Sequence, residues 1–353
     1  MMMQKEKNPI GFACAYTPLA LIDAAGFSPY RILPVGDGPD RAGHLLHDNL
    51  CPHVKRILDR GLQGDLPELA GLVFMNSCDA MRRLADAWQR IRPSDRILLV
   101  DLPVQRDEAS ISFFHGELRR LADVLSQWSG EVIREKAILN SIEKYNELAD
   151  RLNEIAGRLQ RGTLEQGSMQ LQMIYNYAAT EPLDKALAFL ETVAAEPERH
   201  EPDPGKVPIF LFGNVLPDPQ VFSLFEALGA RIVMTDLCTG SRLFQPVETD
   251  NSGDLMGQLA DAYLSRKPCA RTFDPARPGK MAEDLLEQAR ASGARGVIGH
   301  TVKFCDPYLA RLPLVRERLS DAGLPFLLLE GDCSMRSIGQ HKTRIEAFVE
   351  MLR

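Results

Sequence analysis

The 353-residue sequence has no G-x-x-x-x-G-K-[ST] phosphate loop, no G-x-G-x-x-G dinucleotide fingerprint and no G-x-S-x-G nucleophile elbow. The first absence implies that any ATP used by this protein is hydrolysed on another polypeptide. The second leaves hydride transfer through a bound nicotinamide with little support, since GNVLPD is not a dinucleotide glycine pattern. There is no apolar run of about 18 residues, no basic and apolar leader, and no polybasic arm, so the expectation is a cytoplasmic protein that does not enter a membrane. A formal net charge of -7 supplies no general field for attracting nucleic acid. No two of the seven cysteines are separated by two residues, which excludes a zinc knuckle, and seven are too sparse for a small disulfide scaffold. A metal site in this chain must be assembled by the fold from distant segments.

What is present is an ordinary globular composition, 45% hydrophobic and 25% charged, in a chain long enough for a sizeable core and for two domains. The stretch GVIGHTVKFCDPYLARLPLVRERL, residues 296–319, organises the reading. An apolar strand runs into Cys305, and Asp306 and Pro307 then start a helix, the carboxylate capping free amides and the proline needing no amide of its own. Such a strand-to-helix joint lies on the carboxyl edge of a parallel sheet, where helix amides converge and a thiolate is stabilised. The same construction recurs at Cys78 in LAGLVFMNSCDAMRRLADAW, at Cys51 before Pro52, and at Cys238 in RIVMTDLCTGSRLF. A single free cysteine is usually a small buried hydrophobe. Four on apparent carboxyl edges point instead to an iron–sulfur or other metal role.

The rest of the chain predicts α/β architecture: two Rossmann-like parallel-sheet domains with an additional helical region. Residues 1–130 form an N-terminal unit with Cys14, Tyr16 and a Thr17–Pro18 helix start, and short apolar runs without alternation mark its strands. Residues 131–200 are helical and charged, one long helix or a broken pair with Ile133, Ile142, Leu148, Leu152 and Ile155 on its apolar face, followed by a linker across 196–206. Residues 201–353 form a second α/β unit in which Cys269 lies in a loop beside Arg271. His44, His47 and His53 have no metalloprotease spacing. The basic Arg336, His341, Lys342 and Arg344 offer either a phosphate-binding entrance or the solvated face of a terminal helix whose Ile345, Phe348, Val349 and Leu352 pack inward.

In ACAYTPLALIDAAGFSPYRI, LCPHVKRILD, GLVFMNSCDAMRRLADAW, TDLCTGSRLF, HTVKFCDPYLARLP and GLPFLLLEGDCSMRSIGQHKTRIEAFVEM, the sequence resembles the cluster-binding subunits of the 2-hydroxyacyl-CoA dehydratase and benzoyl-CoA reductase family, which includes double-cubane-cluster proteins. The resemblance implies a [4Fe-4S] cluster held by Cys51, Cys78 and Cys305, an acyl-CoA substrate (2-hydroxyacyl or aromatic), and electrons from a separate ATP-hydrolysing iron–sulfur activator. It also implies a second subunit, related or identical. One alternative is a homodimeric reductase of small molecules with a double-cubane [8Fe-9S] cluster on Cys14, Cys51, Cys78, Cys238, Cys269 and Cys305. Another is a noncatalytic cluster-binding accessory protein. Cys333 is expected to be a packing residue, and no proton donor is assigned among Tyr16, His300 and Lys303.

Overall fold

Apolar runs that do not alternate suit strands covered on both faces, and GLVFMN forms β3 (Gly71–Asn76), buried at every position but the last. In the computed structural model, which describes residues 7–34, 40–198, 203–250, 253–333 and 338–353, β3 pairs in parallel with β1 (Pro9–Phe12) and β4 (Ile97–Asp101). With β2 (Ser28–Arg31) beyond β1, the order is β2-β1-β3-β4. The second sheet repeats this plan: β5 (Val207–Gly213), β6 (Ala230–Asp236), β7 (Gly296–Val302) and β8 (Phe326–Gly331) stand in the order β6-β5-β7-β8, all parallel. Each sheet therefore starts in one direction and then returns past its first strand. That reversal opens a crevice at the carboxyl ends of β1 and β3, and another at β5 and β7.

Helices cover both faces of each sheet, as the two-sided burial of the strands requires. α1 (Leu19–Ala24), α2 (Pro52–Gln63), α3 (Asp79–Ile91) and α4 (Glu108–Ser129) belong to the first unit. The charged middle of the chain is one unbroken helix of 27 residues, α5 (Glu135–Arg161), followed by α6 (Gly167–Thr180) and α7 (Leu183–Ala195). Ile142, Leu148, Leu152 and Ile155 are buried on α5, and each such side chain is worth about 1.5–3 kcal/mol relative to exposure. Ile133 precedes the helix and packs on the first core from the connecting segment instead. Because α5 packs on both α1 and β6, the helical layer ties the two sheets together.

The second unit adds α8 (Pro219–Ala227), α9 (Leu255–Leu264), α10 (Lys280–Ala291), α11 (Asp306–Asp321) and α12 (Lys342–Met351). α9 crosses over to pack on α4, with Phe114 and Tyr263 edge to face at 6.4 Å. Thr17 does not cap α1: the helix begins at Leu19, after Pro18, and the Thr17 amide closes a turn onto the Cys14 carbonyl. Residues 199–202 of the expected linker lie outside the described residues. Among the described residues, no helix is long and apolar enough to cross a membrane.

Candidate functional site

The three cysteines singled out first all occupy the position immediately before a helix: Cys51 before α2, Cys78 before α3 and Cys305 before α11. None makes a side-chain capping hydrogen bond to its helix, although the amides of Val54, Met81 and Tyr308 lie close enough to favour the thiolates. Cys14 follows β1 and Cys238 follows β6, again at carboxyl edges, while Cys269 comes from the segment after α9. These six thiols line one cavity of about 110 Å³ between the two sheets. They divide evenly, with Cys14, Cys51 and Cys78 from the first unit and Cys238, Cys269 and Cys305 from the second. Cys333, beyond β8, is buried in the neighbouring core and does not line the cavity. Among the described residues, no three donor side chains gather about a single point as one metal ion requires. The six thiols are spread around a volume.

Guanidinium groups lock the two walls together. Arg31, 1% exposed on β2, donates to the carbonyls of Cys238 and, at 3.2 Å, Ala13. In the opposite direction Arg271 donates to the carbonyls of Ser77 (2.9 Å), Leu102 (2.8 Å) and Pro103 (2.8 Å). Arg242 is buried in a two-bond pair with Asp236, at 2.7 and 2.9 Å, and also donates to the Tyr308 hydroxyl and the Gly213 carbonyl. One of its nitrogens lies 3.9 Å from the Cys238 sulfur. Asn214, at the end of β5, accepts from the Val302 amide and receives the Cys238 amide on its own carbonyl, fixing the second crevice.

Burial raises the thiols of Cys51, Cys78 and Cys305 to about 11, against the opposing pull of the helix amides of Val54, Met81 and Tyr308 respectively. Cys14 is also raised by burial. Cys238 and Cys269 share a hydrogen bond that lowers Cys269 to about 6 and raises Cys238. A set of soft, largely protonated donors lies beside fixed cations, and metal binding to it must release protons.

Arg31 and Arg242 carry no signal in the sequence, and of the three histidines expected on the surface or in a ligand pocket, His53 alone lines this cavity. His53 lines the cavity with Nδ1 unpartnered among the described residues, and burial followed by the nearby Arg31 lowers it to about 3. Its only signal was proximity to Cys51. Tyr16 lines the cavity too, but Lys303 does not, and His300 is buried within β7. Of the terminal basic group, Arg344 and His341 bond to the carbonyls of Leu328 and Glu330 at 2.9 Å each, docking α12 onto β8. Lys342 faces Glu346, and Arg336 lies outside the described residues.

Residues 14–352 match the family model described as 2-hydroxyglutaryl-CoA dehydratase, D-component. The chain is 25% identical to the (R)-phenyllactyl-CoA dehydratase beta subunit of Clostridium sporogenes, covering 99% of this chain and 93% of that one. It is 26% identical to a benzoyl-CoA reductase subunit of Thauera aromatica (92% and 86% covered) and 24% identical to the lactoyl-CoA dehydratase beta subunit of Anaerotignum propionicum (98% and 92%). These matches run through both sheets and the helical layer between them, and on that basis the chain belongs to the 2-hydroxyglutaryl-CoA dehydratase D-component family of enzyme subunits.

Proposed function

We propose that this chain is the iron–sulfur subunit of an ATP-dependent, low-potential reductase or dehydratase acting on an acyl-CoA thioester, either a 2-hydroxyacyl-CoA or an aromatic acyl-CoA. The observation that carries the proposal is the convergence of six thiols, three from each unit, on one cavity. The donor set fits the group: thiolates are the ligands iron–sulfur clusters take, and a ring of donors suits a body with several irons. A single ion would need sulfurs about 2.3 Å from one centre. Bound there, a cluster supplies single low-potential electrons, chemistry that hydride transfer does not reach.

The residues supply the setting. Cys51, Cys78 and Cys305 are the first candidates as ligands of a [4Fe-4S] cluster, each held at a helix start that favours the thiolate once its proton has gone. Arg31, Arg242 and Arg271 offset thiolate charge, while Val54, Met81, Val215 and Val302 exclude water. Residues 1–130 and 201–353 serve as the two cluster-facing units, joined by 131–200. With no phosphate loop in this chain, ATP is hydrolysed on a separate iron–sulfur activator, and a related subunit or a second copy completes the assembly.

The equal contribution of three thiols per unit favours a second reading, a homodimeric double-cubane [8Fe-9S] reductase of small molecules that uses all six. Anaerobic purification followed by iron and acid-labile sulfide analysis separates the two: four irons per chain support the first, about eight the second, and zinc without sulfide refutes both. Reconstitution with candidate activators and paralogs, assayed on acyl-CoA and small-molecule substrates in parallel, then assigns the reaction. Sustained ATP hydrolysis by the isolated chain contradicts the division of labour.

A further inference from the structure

Most polar side chains that line the cysteine cavity already have their hydrogen bonds. Arg242, Arg271 and Asn214 are held as described above, Gln245 bonds the Lys267 amide at 3.1 Å and the Arg242 carbonyl at 3.3 Å, and Lys267 reaches away to Gln288 at 3.3 Å. The two tyrosines of the wall differ. Tyr308 donates to the Gly213 carbonyl at 2.6 Å and accepts from Arg242, so its hydroxyl is committed. Tyr16, on the turn that follows β1, is 7% exposed, and its hydroxyl makes no hydrogen bond among the described residues. A buried hydroxyl is ordinarily paired. Nδ1 of His53 and Nε of Arg31 also lack partners, but both atoms are fully enclosed by their neighbours, and the Tyr16 oxygen is not. The surroundings of Tyr16 are sulfur and cation: its amide lies 3.5 Å from the Cys14 sulfur, Cys269 is close by, and the Arg271 guanidinium stands 5.9 Å from the ring centroid. Since Arg271 is pinned by three carbonyls, the ring stands against a fixed neighbour.

We propose that the Tyr16 hydroxyl is a hydrogen-bond donor to a sulfur atom of the proposed cluster and thereby sets the potential at which that cluster accepts an electron. The inference rests on the iron–sulfur reading above. A ligating thiol loses its proton and becomes an acceptor, so a bound cluster presents to Tyr16 the partner that the empty wall does not. A hydrogen bond to cluster sulfur favours the reduced state, which carries one more negative charge, and so raises the potential. Arg31, Arg242 and Arg271 contribute fixed charge, with their hydrogen bonds spent on carbonyls and on Asp236, and Tyr16 contributes the uncommitted directional donor. It neither takes the electron nor gives up its proton.

The experiment compares wild type with Tyr16→Phe, which removes the hydroxyl and keeps the ring. Both proteins are purified anaerobically, and iron, acid-labile sulfide and circular dichroism are recorded. The potential is measured by mediated redox titration followed by electron paramagnetic resonance, with no substrate present, so that a hydroxyl serving only a substrate oxygen leaves it unmoved. The expected result is equal iron and sulfide, with a midpoint in Tyr16→Phe more negative by at least about a threefold change in the redox equilibrium, or about 28 mV at about 59 mV per tenfold for one electron. Iron–sulfur stretching bands in resonance Raman spectra should shift on transfer to deuterium oxide by more in wild type than in the variant. The iron-free chains give a second check: with no protein partner for the hydroxyl, the urea midpoint of Tyr16→Phe should be no lower than that of wild type. A lower midpoint means that another part of the chain uses the hydroxyl, and it overturns the assignment. A smaller or opposite shift in potential, equal isotope shifts, or loss of iron from the variant alone overturns it too. Wild-type protein without iron and labile sulfide overturns the iron–sulfur reading and this inference together, whereas a loaded wild type and a loaded variant of equal potential overturn the inference alone.

Discussion

Arg242→Met tests whether the buried cation beside Cys238 is structural. In the native protein Arg242 and Asp236 are 4% and 5% exposed at their side chains and joined by bonds of 2.7 and 2.9 Å, with the Tyr308 hydroxyl and the Gly213 carbonyl also accepting from Arg242. Methionine fills much of the volume but strands the Asp236 carboxylate away from water. Removing one partner of such a pair costs about 3–5 kcal/mol, most of it the penalty of the uncompensated charge. The assay is equilibrium urea unfolding followed by circular dichroism under reducing conditions. The double variant Asp236→Leu/Arg242→Met removes both charges and is expected to regain most of the loss, because two apolar groups need no partners. A cost below about 1 kcal/mol for Arg242→Met, or a double variant less stable than the single one, would refute the argument.

Three further outcomes are expected. His300, 1% exposed, is lowered by burial from 6.5 to about 4, so the unfolded chain binds the extra proton between those values. Stability from the neutral ring is complete above about pH 6.5 and is lost as pH falls toward 4, amounting to about 2 kcal/mol between pH 7 and pH 5; unfolding at both pH values should show a shallower dependence in His300→Leu, and an identical one refutes the assignment. A Cβ at Gly213 would meet the His300 carbonyl oxygen at 2.1 Å, a backbone atom fixed by the β5–β7 ladder. Gly213→Ala should therefore cost at least about 1–3 kcal/mol in urea unfolding, and a neutral result contradicts the close approach. Cys78→Ala and Cys305→Ala should lose iron while keeping their circular dichroism, whereas Cys333→Ala, buried outside the cavity, should keep its iron; full iron retention in both of the first two variants sinks their role as ligands.

The helix starts were legible because local chemistry writes them. Asp79 after Cys78, and Pro52 and Asp306–Pro307 after Cys51 and Cys305, mark the first turn whatever the surroundings. The two parallel sheets followed from apolar runs without alternation. The composition of the cavity wall was harder to read. Cys269 sits in a segment with no period to orient it, and its place beside Cys238 depends on the Arg271 bonds to the loops after β3 and β4. Arg31 and Arg242 carried no mark distinguishing a buried guanidinium from a solvated one: Arg31 is defined by carbonyls brought in by other segments, and the Asp236 partner of Arg242, six residues before it, reads equally well as a solvated ion pair. Across α5 the charged helical periodicity is compatible with one helix or two, because periodicity alone does not reveal a break.

The even split of the thiols sets an order on biosynthesis. Cys14, Cys51 and Cys78 leave the ribosome long before Cys238, Cys269 and Cys305, and until the last of these has been made and β7 has joined its sheet, the N-terminal thiols have no opposite wall. During that interval they stand on an open edge, exposed to oxidants and stray metals. A group that needs both rows at once, as the proposed cluster would, could enter only after most of the chain has been synthesised.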